Sequence, residues 1–296
     1  MIERIQDWLD LQPLYDLFLA PSALYFVLAL LLVFLARMIK SAIGSIDLNE
    51  ELVHKDNKAV AVEMAGFTFA VMIVIASTFK SSPIATETVV WKDLGLSAAW
   101  SLIAIALVLV SAFINDRFLL SKFNNRKELV EDRNVGTGAV IAGTYLGTAL
   151  IASASLQGTT GGSFGLELFD TLVFFIVGQA AFILLGLLYQ KSAGYDIHEE
   201  IEKDNEAAGV ALGMTLLAMG WLLSGKIAVS DSLIALVAWA VISMFVLLFS
   251  RFLIDRFLLP GSSLDHEIKN DRNWGAALIE GSAVLGLAQL LNASFL

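Results

Sequence analysis

Apolar residues fall into eight long stretches along this chain, separated by short polar or charged segments. The stretches lie near residues 21–39, 58–79, 95–114, 135–155, 169–190, 207–224, 231–250 and 274–293. Each holds roughly 20 residues, the length a helix needs to cross the hydrocarbon layer. None shows the two-residue alternation of a half-buried strand. The pattern predicts an all-α polytopic membrane protein with eight spanning helices. Ahead of them, residues 1–20 place Trp8, Leu9, Leu14, Tyr15 and Phe18 at near-helical spacing among acidic residues. That spacing predicts an amphipathic helix lying in the membrane interface.

A second, longer pattern organises the spans. EELVHKDNKAVAVEMAGFTFA (Glu50–Ala70) has three cognates. They are ELVEDRNVGTGAVIAG (Glu128–Gly143), EEIEKDNEAAGVALG (Glu199–Gly213) and EIKNDRNWGAALIEG (Glu267–Gly281). Each copy runs from an acidic and aliphatic lead through Asp to an Asn: Asn57, Asn134, Asn205 and Asn273. Eight or nine positions later comes a glycine: Gly66, Gly143, Gly213 or Gly281. Asn is a favoured helix N-cap, and a neighbouring Asp complements the positive end of the helix dipole. The string Asp-Arg-Phe-Leu-Leu occurs at Asp116 and again at Asp255, 139 positions on, the spacing that also separates Asn134 from Asn273. A four-span unit has therefore been duplicated. The expected domains are an interfacial helix over 1–20 and units over 21–157 and 158–296. A unit with an even number of spans repeats in the same orientation, so all four capped helix starts should share one side.

Small residues sort the spans. The stretches after the four Asn residues carry Gly136, Gly138, Gly143, Gly147, Gly209, Gly213, Gly220, Gly275, Gly281 and Gly286, and the others are Leu-, Val-, Ile- and Phe-rich. Gly143-x-x-x-Gly147 and Gly209-x-x-x-Gly213 fit the small-xxx-small pattern of close helix approach. The second, fourth, sixth and eighth spans are thus expected to form an inner cluster with their amino ends converging, and the odd spans to face lipid.

Composition agrees: 57% hydrophobic and 16% charged residues are too apolar a mixture for an ordinary water-facing surface. Fifteen of the 19 Lys and Arg residues fall on the Asn-bearing side of an eight-span layout. The positive-inside rule places that side in the cytoplasm and both termini outside. A net charge of −10 without a separate basic patch gives no reason to expect nucleic acid. The absence of cysteine excludes disulfides and thiolate chemistry.

Candidate chemistry is sparse. No nucleophile–base–acid set and no cofactor or metal motif is present, so neither an enzyme nor a cofactor is expected. His54, His198 and His266 lie in the connectors, where a solvated role is expected. Glu63 and Glu280 stand six and seven residues past their caps, about 9–10 Å into a helix. A charged carboxylate at that depth needs a partner or water, and such acids often mark ion or proton pathways. Two readings stay open: exchange sites in a pathway that includes Asn57, Asn134, Asn205 and Asn273, or carboxylates bonded to a neighbouring helix. Arg37 and Lys40, at the end of the first span, are expected to snorkel to headgroups. A cytoplasmic charge cluster is expected from Asp56, Asp132, Arg133, Asp204, Asp271 and Arg272. Glycine-rich faces also suggest a homodimer.

In Glu-Leu/Ile followed by Asp-(Arg)-Asn and a small-residue helix, the chain resembles the bacterial inner-membrane YjfL-like proteins, domain-of-unknown-function family 350. The resemblance spans essentially the whole chain as two fused four-span units. It implies a bacterial inner-membrane protein without an assigned reaction, associated with envelope-stress systems built on PspA-like, ESCRT-III-type proteins. Such a cytoplasmic protein is the partner it implies.

Overall fold

A computed structural model describes residues 10–11, 22–44, 46–80, 90–122, 124–157, 163–259 and 261–296. The expected interfacial helix over 1–20 therefore lies outside the described residues, apart from Asp10 and Leu11. The eight spans are α1 (Ser22–Gly44), α2 (Lys58–Lys80), α3 (Val90–Phe118), α5 (Val135–Ser155), α6 (Phe164–Ser192), α8 (Glu206–Val229), α9 (Leu233–Leu253) and α11 (Trp274–Phe295). Short helices α4 (Asn125–Val130), α7 (Ile197–Glu202) and α10 (Leu264–Lys269) lead into α5, α8 and α11. A π-helical turn, Glu50–His54, takes the same place before α2. All eight spans are long and apolar enough to cross a membrane, and no strand occurs among the described residues. The fold is an all-α polytopic membrane protein.

Three of the Asn-capped helices, α2, α5 and α8, are the most buried spans, whereas α11 is no more buried than the outer helices α3 and α6, and the four form a row and not a convergent cluster. α2 packs on α5, α5 on α8 and α8 on α11, all side by side with their starts at the same end. α5 and α8, in the middle, are the most enclosed; α11, at the end of the row, keeps one face uncovered. The correction follows from register. Each inner helix meets its successor through the residues two and nine positions after its cap. It meets its predecessor through the residues four and eight positions after. Two opposite faces of one helix generate a line.

The close approach explains the glycines. A Cβ added to Gly143 would stand 2.1 Å from the carbonyl oxygen of Gly213, and one on Gly213 would stand 2.4 Å from that of Ala139. One on Gly209 would meet Gly136 Cα at 2.3 Å, and one on Gly220 would meet Gly147 Cα at 2.2 Å. The obstacle is backbone, which cannot swing aside. Without a hydrophobic force between helices in lipid, such backbone contact supplies the dispersion attraction that holds the row together. The glycine eight or nine residues past the cap has two roles. At nine (Gly66, Gly143) it faces the next helix; at eight (Gly213, Gly281) it faces the previous one, against Gly143 and Met214 respectively.

The outer helices expose their bulk, including Phe26, Phe34, Phe113, Phe169, Ile234 and Phe245. The duplicated Asp-Arg-Phe-Leu-Leu strings fold differently. The first ends α3, whereas the second lies in a π-helical turn, Ile254–Leu258, where Asp255 Oδ1 accepts from Leu264 N at 2.7 Å.

Gly143→Leu should destabilise the protein by roughly 3 kcal/mol or more, because the added side chain meets backbone. Gly165→Leu, whose Cβ would meet open space, should leave stability within about 0.5 kcal/mol. Thermal unfolding of the purified protein in detergent, read by loss of the monodisperse peak, distinguishes them.

Candidate functional site

The four Asn residues share one arrangement. In each, Oδ1 accepts backbone N–H bonds from the first turn of its helix, from Ala59 and Val60, Thr137, Ala208, or Gly275 and Ala276. Nδ2 donates to the carboxylate of the lead Glu: Asn57 to Glu51 (2.8 Å), Asn134 to Glu128 (2.9 Å), Asn205 to Glu200 (3.1 Å) and Asn273 to Glu267 (2.7 Å). The Asn backbone N–H also donates to the carbonyl of that same Glu. Closing this loop puts the residue before each Asn in the left-handed region: Asp56 (φ 48°), Arg133 (φ 56°), Asp204 (φ 59°) and Arg272 (φ 49°). That conformation costs roughly 1–2 kcal/mol for a residue with a Cβ, and the two Asn bonds to Glu offset it.

Three of the four clamps also reach forward. Asn57 Nδ2 donates to Leu129 O (2.9 Å), Asn134 Nδ2 to Ile201 O (2.5 Å) and Asn205 Nδ2 to Ile268 O (2.8 Å). Each acceptor is the aliphatic residue after the next repeat's Glu, so the caps are linked in a line across the end of the protein. Of the charged residues at this end, Asp132 pairs with Lys127 (2.6 Å), Asp271 lies 3.8 Å from His266, and Asp56, Arg133, Asp204 and Arg272 are the left-handed residues of the four clamps.

Burial sets the protonation tendencies of the connectors. Desolvation raises the Glu128 carboxyl, whereas the Lys55 hydrogen bond lowers Glu51 and the Asn273 hydrogen bond lowers Glu267. His198 is not a solvated residue. It is buried with Nε2 2.8 Å from Leu119 O, and burial lowers its pKa. His54 and His266 are exposed as expected.

Glu63 and Glu280 are both buried, and each has a cation and a tyrosine. Lys40 Nζ stands 2.8 Å from Glu63 Oε1 and donates to Tyr145 Oη at 2.5 Å. Arg251 Nη1 donates to Glu280 Oε1 (2.9 Å) and to Tyr189 Oη (3.0 Å), and Tyr189 donates to Glu280. Lys40 therefore does not snorkel outward; it turns inward to the acid, while Arg37 is exposed. The two triads sit at opposite ends of the row, on α2 and α11, each closed by a cation from an outer helix. Arg251 also pairs with Asp265 in α10, whose Oδ2 accepts from Gly194 N at 3.1 Å. In both triads one carboxylate oxygen, Oε2, is buried without a hydrogen-bond partner.

A third polar group lies between α3, α5 and α6. Asn115 Nδ2 donates to Thr148 Oγ1 (3.2 Å), Thr148 Oγ1 to Gln179 Oε1 (3.1 Å), and Gln179 Nε2 to Asn115 Oδ1 (2.7 Å). This ring bonds the three side chains to one another.

Sequence reasoning named the two acids and missed Lys40, Arg251, Tyr145 and Tyr189. A signal existed: a basic residue inside an apolar span calls for an acid on another span. The tyrosines gave none, since which helix faces which follows only from packing. Among the described residues no group of His, Cys, Asp and Glu is arranged to hold a metal ion.

Replacing one member of a buried ion pair strands the other. Lys40→Met should cost about 3–5 kcal/mol, and Lys40→Met with Glu63→Gln distinctly less; thermal melts of the four combinations check the coupling. At the caps, Asn134→Ala removes three partners and should cost about 3 kcal/mol. Asn273→Ala, at the exposed end of the line, should cost about 1 kcal/mol; the order of the two melting temperatures is the readout.

Two transmembrane proteins of known sequence are similar to this chain. "UPF0719 transmembrane protein YshE" of Bacillus subtilis (strain 168) is 30% identical over 105 residues, 36% of this chain and 78% of that protein. A "UPF0719 transmembrane protein" of Aquifex aeolicus (strain VF5) is 25% identical over 202 residues, 64% of this chain and 69% of that protein. No solved structure matches. The family described as Domain of Unknown Function (DUF350) matches twice, over residues 13–156 and 163–295, so one match ends and the next begins between α5 and α6. By these two matches, which take in nearly all of its length, the chain belongs to the DUF350 family.

Proposed function

We propose that this is a multi-pass protein of the bacterial inner membrane, with its Asn-capped end in the cytoplasm, and that its two buried triads handle protons or cations. The observation that carries this reading is that Glu63 and Glu280, both buried inside spanning helices, each stand against a cation and a tyrosine hydroxyl. One oxygen of each carboxylate has no protein donor, and protonation of a buried acceptor of that kind offsets an unsatisfied-group cost of about 1–3 kcal/mol. Both carboxylates lie beside a hydroxyl and a cation that can exchange hydrogen bonds. At the second triad, half-exposed Asp265 connects Arg251 to the capped end and offers a route for exchange with the aqueous phase.

One observation favours a second reading, a non-transporting membrane anchor. Each acid already holds a cation, so each triad can act as a staple between an inner and an outer helix. The connectors then provide the working surface, where Val53 is 63% exposed and Phe257 69% exposed. The partner under this reading is a PspA/ESCRT-III-like cytoplasmic protein of the envelope-stress response, as the family resemblance implies. Neither reading requires a reaction, and we assign no enzymatic activity.

Liposomes containing the purified protein test the first reading with pH-sensitive and cation-sensitive dyes under imposed gradients. Wild-type protein should carry flux, and Glu63→Gln with Glu280→Gln should reduce it at least tenfold while the protein stays monodisperse. Wild-type protein that carries no flux under any gradient removes the first reading and leaves the anchor.

A further inference from the structure

The row has two open ends, and they match each other. Three junctions join the four inner helices, and they share one register. The residue nine past one cap meets the residue eight past the next: Gly66 on Ala142, Gly143 on Gly213, Met214 on Gly281. The residue two past one cap meets the residue four past the next: Ala59 on Gly138 and Gly136 on Gly209. Above each junction an Asn amide donates to the carbonyl of the next repeat's Leu or Ile.

At the end of the row, α11 presents the forward face again. Gly275, Ser282 and Gly286 stand 139 positions after Gly136, Gly143 and Gly147, the spacing of the duplication. In α5 these positions are pressed against α8; in α11 all three are exposed, and a Cβ on Gly286 would meet nothing within 4 Å. Asn273, forward donor of this last repeat, is exposed, and among the described side chains its amide bonds its own Glu267. At the start of the row, α2 presents the receiving face. Ala61 and Ala65 occupy the places of Gly209 and Gly213, and both are exposed. They line an open groove with Leu52, Thr68, Phe69 and Met72. Leu52 is the residue whose counterparts Leu129, Ile201 and Ile268 accept the Asn bond.

The order of repeat types continues as well. Lys-Asp-Asn and Asp-Arg-Asn repeats alternate along the chain, and the first repeat of a second copy, a Lys-Asp-Asn repeat, would continue that alternation after the last Asp-Arg-Asn repeat. That junction would be of the α5–α8 kind, already present inside the molecule. The Bacillus subtilis relative, for which 105 residues make up 78% of the protein, is about as long as one matched half of this chain. A chain of that length holds only part of such a row.

From this complementarity we infer that a second copy of this chain docks head to tail: the Gly275–Ser282–Gly286 face of α11 in one copy seats on the Ala61–Ala65 face of α2 in the other. Asn273 of the first copy then donates to the Leu52 carbonyl of the second. The contact is heterologous, so two copies close it only if their rotation returns the second α11 to the first α2, and otherwise it extends.

The chain has no cysteine, which makes disulfide trapping clean. Ala65→Cys and Ser282→Cys, each small and exposed, are co-expressed on full-length chains with different tags and oxidised in native membranes. The expected result is a mixed-tag band at least fivefold above an Ile234→Cys and Ser282→Cys control, since Ile234 lies exposed on outer helix α9. Little band should form from either cysteine alone. Gly286→Leu, with open space for its side chain, should lower the particle mass in nanodiscs to that of one chain without lowering the melting temperature. A mixed-tag band no stronger than the control overturns the inference and leaves lipid as the cover of both faces. Efficient self-crosslinking of Ser282→Cys overturns it in favour of a symmetric contact.

Discussion

The first turn of a helix leaves backbone N–H groups without intrahelical partners, and at a membrane boundary between close-packed neighbours there is little water to satisfy them. In this protein one asparagine side chain meets that demand and two others together. Its oxygen accepts from the helix start, while its amide holds the carboxylate of its own connector and, in three of four repeats, the backbone of the next connector. The remaining features follow from this clamp. The lead Glu must be five or six residues upstream, the residue before the Asn must turn left-handed, and an aliphatic residue must follow the Glu. Because the amide points toward the next repeat, the clamp also sets the direction in which the repeats are laid down.

The glycine seams and the clamps constrain each other. Backbones within contact distance bring the next connector's carbonyl close enough for the Asn amide; a wider spacing would leave one of that amide's two N–H groups unpaired and buried. The amide bonds in turn hold the register that places glycine against backbone and not against a side chain. Nothing in that logic distinguishes an inner junction from an end, which is why the outermost helices carry the same faces uncovered.

The acids follow a different rule. Beyond the first turn only the first and last inner helices carry one, and each is matched by a cation and a tyrosine drawn from other helices. The residues differ, Lys40 and Tyr145 on one side and Arg251 and Tyr189 on the other, and they come from non-equivalent places in the duplicated sequence. Two unrelated sets of residues thus meet one electrostatic demand, a buried carboxylate inside a spanning helix. The triads are thus features of the ends of the row, absent from the two helices at its centre.

Local chemistry alone determined much of this protein. Apolar stretches of membrane-crossing length announce helices because an unsatisfied backbone in hydrocarbon is too costly. Asn followed by a small-residue helix announces a cap, and a 139-residue spacing announces duplication. Those properties depend on residues near one another in the chain, so they can be read without a structure. The arrangement of the inner helices as a row was decided by tertiary packing. It turns on whether a glycine falls eight or nine positions past its cap, a rotation of about 100° that selects the neighbour. The partners of Glu63 and Glu280 were decided the same way, because Lys40, Tyr145, Arg251 and Tyr189 reach them only once several helices have taken their places. The burial of His198 is a third case, for the Leu119 carbonyl that receives it lies far away in sequence and arrives only with the fold.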